Sequence, residues 1–169
     1  MAIRIDQIRY HSRRSIPAAR SIYEARMRGI TTAFLSHSHK DKDVASNLES
    51  FLADAGLKVY IDWQDDQMPE RPNRETAVRI KDKIVSTDIF LFLATENSMS
   101  SRWCPWEIGY ADGKKHIDKI LVIPTTNGLK SFGNEYLDVY RRVDVSQLGK
   151  VGIWKPGHLT GPYPMETMF

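Results

Sequence analysis

The 169-residue chain holds one cysteine, Cys104, so no disulfide can form within it, and the reducing cytoplasm is the simplest setting. No apolar run reaches the length that spans a bilayer and no secretory signal opens the chain, so no membrane segment is expected. Acidic residues are scarce in one region only. Residues 1–30 carry seven arginines against Asp6 and Glu24, a net charge of +5, while the remainder is −2. The overall +3 therefore belongs to an N-terminal arm. That arm has few aromatic rings to stack on unpaired bases, so nucleic acid is not an expected partner and a solvated basic face is the plainer reading. Internal repeats and low-complexity tracts are absent. What is present, 41% hydrophobic and 27% charged residues, fits a globular chain large enough to bury a core.

Residues 1–29 read as a basic arm with one helix. Ser15 and Pro17 start it, Ile16, Ala19, Tyr23 and Met27 line one face, and Gly29 ends it. Five apolar runs then alternate with helical patterns: TTAFLS (31–36), LKVYID (57–62), DIFLFLA (88–94), KILVIP (119–124) and VYRRVDV (139–145), the last read as an edge strand. DIFLFLA is apolar throughout, as a parallel strand covered on both faces should be. Between the runs, Val44, Leu48, Phe51, Leu52 and Ala55 share one helix face, and Asn73 caps a helix that turns Ala77, Ile80 and Ile84 inward. The polar stretch from Asp62, broken by Pro69 and Pro72, predicts a long loop. Strand and helix alternate, which implies an α/β fold with a parallel sheet over 30–146. Four glycines and three prolines in the last 21 residues predict an irregular tail over 147–169.

A helix is expected from about Arg102 to Lys115. Cys104, Ile108 and Ala111 form an apolar stripe suited to the sheet, and Cys104 reads as buried and inert. Trp103, Glu107, Tyr110 and Lys114 form a second stripe about a quarter-turn away. Pro105 is tolerable only near the helix start, which places Glu107 close to the carboxyl end of the third strand. Open parallel sheets bind ligands at that end. The facing wall would come from the loop SHSHKDKD (36–43), with Ser36, His37 and Ser38, and from the loop opening at Asp62 and Trp63. His37, His39, Asp41 and Asp43 have no fixed ligand spacing, so capping and solvation are preferred to metal binding, and no metal is expected. Trp106 faces away from both stripes, toward a neighbouring subunit or as a partly exposed structural ring.

With AFLSHSHKDKD, VYIDW with its long loop, and SSRWCPWE, the chain resembles a Toll/interleukin-1 receptor (TIR) domain over roughly residues 30–145. The resemblance implies a flavodoxin-like fold, a five-stranded parallel sheet of order 2-1-3-4-5 with helices on both faces. It implies an NAD+ glycohydrolase that cleaves the nicotinamide–ribose bond, giving nicotinamide plus ADP-ribose or a cyclic isomer. Glu107 is then the essential carboxylate and Trp103 the ring lining the site. Ser36, His37, Ser38, Asp62 and Trp63 become contacts to the dinucleotide. No cofactor is implied, since NAD+ is the substrate. Self-association through TIR surfaces, with loops of two subunits completing the cleft, and a separate effector that senses the product in bacterial defence are implied by analogy. The alternative is a non-enzymatic adaptor that recruits other TIR domains. Many family members end in a helix after the fifth strand, and this sequence has none there.

The chemistry is coherent without the family. Nicotinamide in NAD+ is already a cationic leaving group, so no general acid is needed to expel it. One carboxylate can steady the oxocarbenium ion formed on the ribose, where ordinary glycoside hydrolysis needs two.

Overall fold

Residues 3–4, 21–69, 71–133, 135–145, 151–157 and 163–164 are described by the structure, a computed structural model. The apolar runs become strands and the amphipathic segments become helices. In chain order the described elements begin with strand β1 (Ile3–Arg4), helix α1 (Ile22–Met27), strand β2 (Thr32–Ser36), helix α2 (Lys42–Asp54) and strand β3 (Lys58–Tyr60). Helix α3 (Arg74–Ser86), strand β4 (Ile89–Ala94), the short helix α4 (Glu96–Met99) and helix α5 (Cys104–Asp112) follow. Strands β5 (Ile120–Thr126), β6 (Ser131–Phe132), β7 (Arg141–Val145), β8 (Val151–Trp154) and β9 (Tyr163–Pro164) complete the set.

The central five strands run parallel in the order β3-β2-β4-β5-β7, which is the expected 2-1-3-4-5. All six residues of β4 are buried, because helices cover both of its faces. Leu35, Leu91 and Ile123 point to one face, where Val44, Leu48 and Leu52 of α2 meet them. Phe34, Phe90 and Val122 point to the other, against Ile80 and Ile84 of α3 and Cys104 and Ile108 of α5. This inside-out alternation is the period of two that any strand imposes. Thr76 rather than Ala77 is the first buried residue of α3, since it joins Asn73 in a reciprocal capping box.

The sheet is larger than five strands. Among the described residues it has nine, and β7 is not an edge. Strand β8 pairs antiparallel with β7, bringing Ile153 opposite Val143, and β9 pairs with β8. The expected irregular tail is therefore corrected at 151–154 and 163–164. Ile153 is 1% exposed, so burial of an apolar side chain outweighs the conformational freedom that neighbouring glycines and prolines would favour. At the other terminus, β1 lies parallel to β5 and delivers Ile3 into the core. The proposed helix start at Ser15–Pro17 lies outside the described residues. Within α1, capped by Ser21, the buried contact is Ala25, while Tyr23 and Met27 are exposed, contrary to the predicted face. The small Ala25 allows the close approach that the larger side chains would prevent.

Candidate active site

Helix α5 is built to carry a carboxylate inward. Ser101 Oγ accepts from the backbone N–H of Trp103 at 3.1 Å and of Cys104 at 3.4 Å, which starts the helix where Pro105 is harmless. The Glu107 N–H then donates to the Trp103 carbonyl at 2.8 Å. Cys104, Ile108 and Ala111 seat the helix on the sheet. Glu107, beside that stripe, is only 5% exposed. Its Oε2 accepts a 2.6 Å hydrogen bond from Ser36 Oγ, at the carboxyl end of β2. The two candidates 71 residues apart in sequence are thus in direct contact at the sheet rim.

Burial raises the Glu107 carboxyl to about 8; the Ser36 bond pulls it down and the charge of Asp62 pushes it up. The neutral acid therefore predominates at pH 7. Burial also pushes the neighbouring Cys104 thiol up to about 12, aided by Glu107, which leaves it inert.

His37 follows Ser36 and is buried. Its Nδ1 lies 3.3 Å from the Leu35 carbonyl and 3.9 Å from Asp62 Oδ1. His39 Nε2 approaches Asp62 Oδ2 at 3.7 Å, so Asp62 sits between two imidazoles. Desolvation lowers the His37 pKa, against the opposing pull of Asp62. Trp63 is half-buried beneath the Lys42 ammonium, 5.2 Å from its ring, and packs on the α2 side of the sheet. Ser36, Glu107, His37 and Asp62 are accordingly brought together.

Ser38, two residues after Ser36, and Trp103, one turn before Glu107, make contacts of their own. Ser38 caps the single turn His39–Asp41, accepting from Lys40 N–H. The Trp103 ring stands edge-on to Trp106 at 5.4 Å, on the α3 side of the sheet. Trp106 stacks on Tyr110 at 6.1 Å, and Lys81 covers both rings, so Trp106 is a half-buried structural ring in this chain.

One cluster escapes sequence reasoning. Asp41, buried, accepts from Thr95 Oγ1 at 2.6 Å and from Asn97 Nδ2 at 2.6 Å. These bonds clamp the turn after β2 to the segment after β4 that leads into α5. The available signal was Thr95 with Ser98 three residues on, a capping box that starts α4. Among the described residues, no three His, Cys, Asp or Glu side chains converge as a metal site. A cavity of about 200 Å³ lies apart from this cluster, over β5 and β7, beside Pro124, Leu137, Tyr140, Arg142 and Lys155.

Comparison with known proteins bears on this arrangement. The chain is 36% identical over 110 residues to the probable 3′ cyclic ADP-D-ribose synthase ThsB′ of Bacillus cereus (strain MSX-D12), covering 63% of this chain and 57% of that protein. It is 30% identical over 81 residues to a protein of Cytobacillus dafuensis provisionally named cyclic ADP-D-ribose synthase TIR2, covering 46% of this chain and 21% of that one. The match thus spans little more than half of the one relative and a fifth of the other. A solved 2-deoxyribosyltransferase from Bacillus psychrosaccharolyticus superposes with a TM-score of 0.42 at 18% identity, over 54% of this chain and 71% of that chain, too loosely to carry an argument. The model of the TIR domain matches residues 33–148, and with that match over most of its length the chain belongs to the TIR domain family.

Proposed function

We propose that this protein cleaves the nicotinamide–ribose bond of NAD+, releasing nicotinamide and giving ADP-ribose or one of the cyclic ADP-ribose isomers. The observation that carries the reading is Glu107, a buried carboxyl aimed by α5 at the carboxyl rim of a parallel sheet and held by Ser36. Both relatives named above are cyclic ADP-ribose synthases by name, which supports the same chemistry.

The residues act as follows. A cationic nicotinamide riboside entering beside Glu107 favours the carboxylate over the acid, so substrate itself ionises the group. As the C1–N bond breaks, its electron pair leaves with nicotinamide, and positive charge develops on the ribose. A carboxylate in a dry site stabilises that charge far more than one in water. Ser36 Oγ, freed from or shared with Glu107, can turn to a ribose hydroxyl. Trp103 supplies an aromatic wall, and His37, Ser38, Asp62 and Trp63 border the entrance. The product serves as a signal to a separate effector in defence, a role proposed from the family resemblance alone.

The test is incubation of the purified protein with NAD+ and identification of the products by mass. Nicotinamide together with ADP-ribose, or with a cyclic product one water lighter than ADP-ribose, supports the proposal. Intact NAD+ under all conditions leaves the adaptor reading in its place.

A further inference from the structure

We propose that His37 is the proton acceptor for a ribose hydroxyl of the bound dinucleotide, and so directs the reaction toward a cyclic product rather than hydrolysis. The inference rests on the NAD+-cleaving reading and deepens it.

The geometry singles out one atom. His37 Nε2 is fully buried and has no hydrogen-bond partner. A buried acceptor left unsatisfied carries a free-energy penalty, and native proteins keep few of them. The opposite nitrogen, Nδ1, lies against the Leu35 carbonyl at 3.3 Å, which assigns it the proton and leaves the Nε2 lone pair bare. Asp62, 3.9 Å from Nδ1, stands where it would steady an imidazolium formed by proton uptake at Nε2. The other acids near the site are occupied. Glu107 is committed to the sugar cation and bonded to Ser36, and Asp41 is bonded to Thr95 and Asn97. His37 and Glu107 are both buried, and the charge of Asp62, in the turn after β3, acts on both. In this proposal the turn that carries Asp62 shifts as the dinucleotide enters.

The step balances without a co-reactant. The C1–N bond to nicotinamide breaks and its electron pair leaves with neutral nicotinamide. A hydroxyl oxygen of the adenosine-side ribose bonds to C1 of the other ribose. The hydroxyl proton passes to His37 Nε2 and from there to water. Water attacking the same carbon gives ADP-ribose instead and competes for every cation formed.

The experiment measures nicotinamide release and the ratio of cyclic to linear product from NAD+ for the wild type and His37→Gln. Positioned general bases typically contribute 10²- to 10⁴-fold, so the cyclic-to-linear ratio should fall by at least about tenfold. Because the ratio compares two fates of one cation, it reports on the acceptor even if total turnover drops. If His37→Gln does not fold, the wild-type ratio against pH decides. The groups facing the ring are Asp62, His39 and Asp41, and the cyclic share should be level at neutral pH and decline only on acidification past the ordinary imidazole range, because desolvation lowers the His37 pKa. A ratio unchanged within about twofold in His37→Gln, no decline with acid, or a wild type that makes only linear ADP-ribose overturns the inference and leaves bond cleavage intact. Absence of nicotinamide release overturns the cleavage reading itself.

Discussion

A carboxyl raised to about 8 by burial ties activity and stability to the same proton. For activity, free enzyme must present the ionised form, so kcat/KM should rise with pH, pass half its maximum near 8 and level off about a unit higher. The dependence of kcat should lie at lower pH, because a bound cation favours the carboxylate. A kcat/KM that is flat from pH 6 to 9 would contradict this assignment. For stability, the folded pKa lies above the unfolded one, so the contribution is full below the unfolded pKa near 4.5 and is lost as pH rises toward about 8. Glu107→Gln stays neutral throughout, so its advantage over the wild type should grow across that window to the order of a few kcal/mol at pH 8. Thermal melts of the two proteins at pH 5 and pH 8 measure it, and an equal difference at both would count against a buried, proton-linked Glu107. The residue itself was legible from the sequence through the stripe arithmetic around Pro105. Its partner was legible only as part of a loop cluster, because a contact across 71 residues of chain leaves no local signal. The same limit hid Asp41, whose partners Thr95 and Asn97 lie 54 and 56 residues away.

At the scale of elements, what could be read was what local periodicity governs. The five apolar runs became the five parallel strands because both-face burial leaves no alternative for residues such as Phe90 and Leu91. The additions to the sheet were hidden where the pattern is short. Two residues suffice for β1, too few to show any period, and Gly152 interrupts the alternation of β8. Ile153 should nonetheless behave as a core residue, and Ile153→Ala should cost about 2–5 kcal/mol in urea unfolding. A change under about 0.5 kcal/mol would mean that β8 merely lies against β7. The clamp at Asp41 joins two elements, and Asp41→Ala strands a buried hydroxyl and a half-buried amide. It should destabilise the fold by about 2–4 kcal/mol.

Over the whole molecule, the described segments nearest each terminus, β1 and β9, both pair with the sheet. Ile3 sits in the core beside β5, Ala25 is buried at the other flank near β2, and the Arg26 guanidinium donates to the Ser86 carbonyl. Deleting residues 1–28 should therefore lower the melting temperature, and an unchanged value would show the arm to be dispensable. The family resemblance implies that loops of a second copy complete the cleft. Specific activity should then climb steeply with protein concentration, and a constant value down to dilute monomer would refute the shared cleft. The claim beneath all of these is that one buried carboxylate faces the sugar cation of NAD+. The rate of nicotinamide release by wild type and by Glu107→Gln, at equal concentration and pH 8, tests it most directly. The account predicts a loss of at least about a thousandfold in the variant, and release at the wild-type rate would contradict it.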